Sequence, residues 1–270
     1  MNIFSSRSLA QIAGVFLMLA SFCFIGLLVW SHRQLVLDFH PSLGGLIVLA
    51  FGATLYGAAG LLLASAWRFL LRWSGEEAVG WHESRRIYAR TQVAKYVPGN
   101  VMQLLGRHVI GRQAGWSHVG LVISSAFEIL SLLSVSSVIA IVGLATSGLQ
   151  IGLLSVPLLL VLFAGLIAFA FTFVRMAPRL IVGRWPEVAN RVESCEISAL
   201  WPVVLLHAVF FLIGGLILLL VCEVVLEAPI ELGHWPALLS LFAIARTAGV
   251  ITPGAPSGLG IRETVLWSWG

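Results

Sequence analysis

Apolar positions along this chain gather into long unbroken runs rather than the short alternations of a soluble fold. A helix that crosses a bilayer needs about 20 mostly apolar residues. Five segments reach that length: residues 9–30, 43–66, 120–145, 151–173 and 199–226. A shorter apolar piece, 237–251, runs straight into Pro253-Gly254, and another begins at Thr264 just before the chain stops at Gly270. That last run reads as the start of a further helix, so the sequence is expected to be a fragment lacking one or more final helices. Between the second and third spans, residues 75–118 are too many and too mixed for a turn. The first part sets Glu76, Glu77, Glu83, Arg85, Arg86 and Arg90 beside Trp81, Ile87 and Tyr88, the pattern of an amphipathic helix on a membrane surface. The second part, 93–105, is apolar around Pro98-Gly99-Asn100. It is too short to cross and leave, but long enough to enter the bilayer and return.

Two stretches repeat each other. Ala89-Arg90-Thr91 leads to Pro98-Gly99, and Ala245-Arg246-Thr247 leads to Pro253-Gly254, one residue out of register. Nine positions after each proline stands an arginine, Arg107 in the first copy and Arg262 in the second. Irregular backbone at membrane depth survives only where protein buries it or where it lines a water-filled cavity. A duplicated helix breaker carrying cations is therefore the leading candidate for a working site. The competing reading of either copy alone is an ordinary loop at the membrane edge.

Cytoplasmic loops collect Lys and Arg. Arg7 precedes the first span, Arg68 to Lys95 follow the second, and Arg175, Arg179, Arg184 and Arg191 follow the fourth. The loops after the first and fifth spans carry only Arg33 among cations. The N-terminus is therefore expected inside. The first breaker then enters from the cytoplasm and the second from outside. This gives an all-α, polytopic membrane protein built as an inverted repeat, each half two spans, a re-entrant broken helix and a span. The single membrane domain, 1–270, divides into a first repeat at 1–145, re-entrant at about 93–107, and an incomplete second at 151–270, re-entrant at about 237–262. The alternative is that 237–251 crosses fully and leaves Arg262 inside.

Composition narrows the class. Of 270 residues, 59% are hydrophobic and 10% charged, with a mean hydropathy of +0.98. Soluble domains carry about 25% charged residues, so this chain could not cover itself in water. Arg supplies fifteen of the sixteen cations and Lys95 the other; Arg keeps its charge when partly buried and grips phosphate with a planar fork. A GC-rich genome would give the same bias. The net charge of +4 suits anionic lipid headgroups, and nucleic acid is excluded as a partner because no basic stretch lies free of membrane context. Cys23, Cys195 and Cys222 are scattered and form neither a disulfide framework nor a metal site. The first apolar run is too long for a signal-peptide core and reads as a retained anchor.

Arg107, Arg246 and Arg262 are the arginines that matter, because a cation at mid-bilayer is costly and functional by default. For Arg107, Arg112 and Arg262 the competing reading is snorkelling to the headgroups; Arg246, after Leu241-Phe242-Ala243-Ile244, is harder to excuse. Pro98, Gly99, Asn100, Pro253, Gly254, Pro256, Gly258 and Gly260 supply broken backbone that can approach a ligand. Glu128 lies inside the third span and Glu263 follows Arg262; each needs a partner or a proton, so either a proton relay or a structural ion pair fits. His207 reads as a packed, hydrogen-bonded histidine, and Gly57, Gly60, Gly111 and Gly115 as close helix-packing positions. The sequence offers no phosphate-cradling Gly-Lys-Ser/Thr loop, zinc-type His-Glu-x-x-His or Gly-x-Ser-x-Gly elbow. No catalytic residue, metal or cofactor is assigned.

Lys95-Tyr96-Val97-Pro98-Gly99-Asn100-Val101, running on to Gly106-Arg107, resembles the first signature of the flippase-like family built on the lysylphosphatidylglycerol synthase transmembrane region. Thr252-Pro253-Gly254-Ala255-Pro256-Ser257-Gly258-Leu259-Gly260-Ile261-Arg262-Glu263 is similar to its second. The resemblance implies about eight helices, lipid translocation in some members, and relatives beside cell-envelope glycosyltransferases. The soluble domain that makes aminoacyl-lipid in founding members has no counterpart here, so aminoacyl transfer is not carried over. The expected function is translocation of an anionic phospholipid or polyprenyl-phosphate-linked lipid in a bacterial or archaeal inner membrane. Two alternatives stay open: a membrane-embedded transferase using Glu128 or Glu263 as general base, and a non-catalytic partner of a glycosyltransferase.

Overall fold

The computed structural model describes residues 33–96, 102–146, 197–226, 231–252, 258 and 260–267, with scattered positions at 23–31 and at 186. The first and fourth expected spans lie outside these, apart from a few positions of the first, as do Pro98-Gly99-Asn100 and Pro253-Gly254. Among the described residues there is no strand. Eight α-helices have defined extents: α1 Arg33–Asp38, α2 Leu43–Trp73, α3 Trp81–Gln92, α4 Met102–Gln113, α5 His118–Thr146, α6 Trp201–Leu226, α7 Trp235–Ile251 and α8 Ile261–Trp267. A 3₁₀ turn, Val93–Tyr96, continues α3. Among the described residues three helices are long and apolar enough to cross a membrane: Leu43–Trp73, His118–Thr146 and Ser198–Leu226. They mark the chain as an α-helical membrane protein.

Helix ends follow local chemistry. Ser42 starts α2 by accepting from the Gly45 amide at 3.1 Å. The helix ends at Gly75, whose φ of 97° only glycine adopts without strain, as the Glu76 amide bonds back to the Leu71 carbonyl at 3.0 Å. Glu76 then turns to the start of α5, accepting from the amide of Ser117 at 3.1 Å and from its hydroxyl. Ser117 in turn accepts from the Gly120 amide at 3.0 Å, satisfying a donor that the first turn of α5 would otherwise orphan. Gly115, at φ 89°, closes α4 in the same left-handed way and has no described atom near a would-be Cβ. It is a turn glycine rather than the packing position expected.

α3 is amphipathic. It buries Ser84, Ile87, Tyr88 and Thr91, one helical face, and exposes Arg86 and Arg90. Arg68 of α2 donates to the Val79 carbonyl at 3.0 Å and stacks 4.1 Å from the Trp81 ring, tying the surface helix to α2. On α2 itself burial is lopsided: Leu63, Trp67, Leu70 and Leu71 are buried, while Leu43, Ile47 and Phe51 are exposed.

Close approaches between glycines and side chains fix the helix directions. A Cβ on Gly45 would lie 3.1 Å from Val224, and one on Gly52 3.5 Å from Ile217, so α2 and α6 are antiparallel. Gly214 abuts Phe242 and Gly215 abuts Leu239, so α6 and α7 are antiparallel too. Gly143 meets Pro236 and Ser240, while Ser136 accepts a hydrogen bond from Thr247 at 2.6 Å, so α7 also opposes α5. α5 and α6 therefore run the same way. α3 and α4 join the bundle at the end where α2 finishes and α5 begins, and α7 starts at the other end. Without a hydrophobic driving force between helices in lipid, such small-residue contacts let backbones approach and gain van der Waals contact. Gly111 packs in this way against Leu121 and Trp116, as expected, whereas Gly57 and Gly60 meet no described atom within 4 Å.

On an open helix face, Gly→Ala stabilises by about 1 kcal/mol. At Gly214 the added carbon would overlap the Phe242 ring, so the sign should reverse. Gly214→Ala is expected to lower the unfolding midpoint in detergent, at an overpacking cost of about 1–3 kcal/mol. A raised midpoint would show that α6 and α7 do not pack this closely.

Candidate functional site

Arg107 anchors the site. Its position on α4 faces the bundle, where only 2% of it is exposed. A bare guanidinium there would lose its hydration for nothing, so the surroundings answer it three ways. Glu128 of α5 accepts from its Nη1 at 2.5 Å. The Tyr88 ring of α3 lies 3.8 Å from the guanidinium carbon and the Trp67 ring of α2 lies 5.4 Å from it. Tyr88 also donates its hydroxyl to the other oxygen of Glu128 at 2.8 Å. Four helices thus meet at one ion pair. Glu128 is ten residues into α5, about 15 Å from its start at 1.5 Å per residue. α5 is 29 residues long, about 44 Å, so Glu128 lies a third of the way along it, inside an apolar helix long enough to cross a membrane.

A cavity of about 70 Å³ opens beside this pair. Its lining comes from both halves of the chain: Tyr88, Lys95 and Arg107 from the first, Glu128 from α5, and Arg246 and Arg262 from α7 and α8. That volume has room for several waters or a compact polar group. Arg246 is eleven residues into α7, its guanidinium carbon 5.1 Å from the Phe210 ring centre, and its Nε has no hydrogen-bond partner among the described residues. Arg262 is brought in by the close approach of Gly258 to α7. Gly258, at φ 73°, crosses the last turn of α7 so closely that a Cβ there would run into the Gly249 Cα. A Cβ on Gly249 would in turn meet Arg262 Nε at 2.7 Å. A side chain on Gly249 would displace the arginine, and one on Gly258 would push that residue off α7. Lys95 lies at the end of the 3₁₀ turn, where burial, then Arg246, and further Arg262, push its ammonium below the ordinary lysine value while Tyr56 pulls the other way.

Several expected residues therefore meet. Arg107, Arg246, Arg262 and Glu128 share one cavity. Glu263 acts elsewhere, because its carboxylate accepts from the Gly260 amide at 2.6 Å, capping α8, and it does not line the cavity. Gly258 and Gly260 both take left-handed backbone, with φ of 73° and 84°. Pro98, Gly99, Asn100, Pro253 and Gly254 lie outside the described residues, as does Pro256. Arg112 donates to the Trp116 carbonyl at 2.7 Å and serves the end of α4 rather than the cavity. His207 is hydrogen-bonded to Ser131 at 2.9 Å and fully buried.

The repeated tripeptides are not equivalent in space. Arg246 lines the cavity, but its counterpart Arg90 faces outward on α3. Sequence reasoning missed Tyr88 and Lys95 as cavity residues. The available signal for Lys95 was its position: a lone lysine in an arginine-rich chain, three residues before the Pro98 breaker. No protein-family model, curated protein or solved structure matches this chain.

Removing one partner of a buried ion pair strands the other charge at a cost of about 3–5 kcal/mol, whereas replacing both with apolar groups is often neutral. Arg107→Met and Glu128→Met should each strongly lower the unfolding midpoint in detergent, and the double variant should recover most of the loss. Additive losses would show that the two side chains are not coupled.

Proposed function

We propose that this chain is a flippase-like integral membrane translocator that moves an anionic lipid, a phospholipid or a polyprenyl-linked envelope intermediate, between leaflets. One observation carries the reading: cations from both halves of an apolar helical protein converge on a single cavity beside a buried ion pair. Intramembrane ionisable groups that face a cavity mark substrate paths. The cations are mostly arginines, which bind phosphate through parallel N–H donors and keep their charge when desolvated.

The helix directions support an inverted repeat. α3 and α4 approach the cavity from the end of the bundle where α2 finishes, and α7 approaches from the opposite end. A parallel α5 and α6 is the relation expected of helices separated by one further crossing. With the N-terminus cytoplasmic, as the loop charges favour, α4 reaches the site from inside and α7–α8 from outside. The family resemblance of the segments around Arg107 and Arg262 points the same way. In this reading the phosphate group sits among Arg246, Arg262 and Lys95 while the acyl or prenyl tail stays in lipid. Rocking of the two broken elements would expose the site first to one leaflet and then to the other. The membrane is the inner membrane of a bacterial or archaeal cell.

The transferase alternative is less well supported. Both Glu128 oxygens are engaged, one with Arg107 and one with Tyr88, and Glu263 is engaged as a helix cap. Glu128 reaches the cavity already paired with Arg107, and Glu263 does not line it. Partnership with a glycosyltransferase through the exposed face of α3, which carries Arg86 and Arg90, is compatible with translocation and does not replace it.

In proteoliposomes, Arg246→Gln and Arg262→Gln are each expected to slow headgroup movement between leaflets by about tenfold or more, the scale of one lost charge-assisted hydrogen bond. Dithionite reduction of a fluorescent phospholipid measures that rate. Unchanged rates in both variants would overturn the assignment.

A further inference from the structure

The cavity can be read by its charge. Four cations line it, Lys95, Arg107, Arg246 and Arg262, against one carboxylate, Glu128, among the described lining residues. Glu128 is committed to Arg107 at 2.5 Å, so the formal charge of the lining, +3, belongs to the side formed by the 3₁₀ turn, α7 and α8. Like charges so placed resist one another in a medium of low dielectric.

A ligand completes such a site best by bringing comparable negative charge. A phosphodiester, the linkage of most phospholipids, brings one charge and two unbridged oxygens. A phosphomonoester brings about −1.5 to −2 at pH 7 and three acceptor oxygens, and a terminal diphosphate brings more. Guanidinium forks address a phosphate through parallel N–H donors. The Nε of Arg246, buried and lacking a hydrogen-bond partner among the described residues, is a donor available for one of them.

We propose that the cavity selects a terminal phosphate, as a phosphomonoester or a diphosphate carrying two or three negative charges, over a singly charged phosphodiester. This rests on reading the cavity as an anion site, and it narrows the substrate to lipids that end in phosphate, such as a prenyl phosphate or phosphatidic acid. A soluble phosphomonoester offers the same chemistry without the tail.

The full chain in detergent micelles, titrated with lipids of identical acyl chains and observed by native mass spectrometry, separates these cases. Phosphatidic acid should bind about tenfold more tightly than phosphatidylglycerol, the scale of one additional charge-assisted hydrogen bond. Arg246→Gln should erase the preference, and Arg246→Lys, which keeps the charge, should retain part of it and show that the fold survives change at this position. Equal affinities, both weakened by Arg246→Gln, would overturn the selectivity while leaving an anion site in place. Affinities untouched by Arg246→Gln would show that the lipids bind elsewhere and would overturn both the selectivity of this cavity and its reading as the anion site. Glycerol 3-phosphate supplies the remaining arm. If it displaces phosphatidic acid at concentrations equal to that lipid's own dissociation constant, terminal-phosphate selection stands and the lipid source is refuted.

Discussion

The arrangement depends on how an apolar body holds the Arg107 guanidinium. Charge that far from water demands a partner, and Glu128 provides it, with Tyr88 and Trp67 supplying ring faces and a hydroxyl. Such a pair adds little net stability, because desolvating both ions costs about as much as their attraction returns. What it confers is registry. α4 can occupy only one rotation against α5, and α3 only one against both, if neither ion is to be stranded. The cavity wall inherits that registry, since Tyr88, Arg107 and Glu128 are wall and ion pair at once.

The opposite wall is built from backbone proximity rather than charge. Gly143, Gly214 and Gly215 let α7 sink between α5 and α6, which carries Arg246 inward. The crossing of Gly258 over Gly249 then folds the following segment back, so that Arg262 points to the same place. One wall is held by a buried ion pair and the other by absent side chains. The two therefore answer to different perturbations. Changes of charge act on the α3–α4 side, and added carbon atoms act on the α7–α8 side.

Much of this is legible in the sequence, and the exceptions have physical reasons. Hydropathy alone ends the second span at residue 66, but the helix continues to Trp73. Trp67, Arg68 and Arg72 end the apolar run without ending the helix, which stops only where Gly75 permits a left-handed turn. The third span starts at His118, two residues before the expected position, because Ser117 and not the first apolar residue sets the cap. The arginines near the breakers are identifiable from their cost in lipid. Helical phase is not, so Arg90 and Arg246 read alike in sequence but face different surroundings. Tyr88 reads as interfacial because its neighbours are charged, and its burial follows only from the packing of α3 on the bundle. Among the glycines, Gly57 and Gly60 look like a small-residue motif, yet Gly143 and Gly214 make the close contacts, since spacing alone does not reveal which face meets a neighbour.

The chain contains a single lysine, and it lies in the cavity wall. Burial and neighbouring guanidinium groups oppose the charge of its ammonium. Apart from the terminal amine, acylating reagents thus have one primary-amine address in this sequence, Lys95.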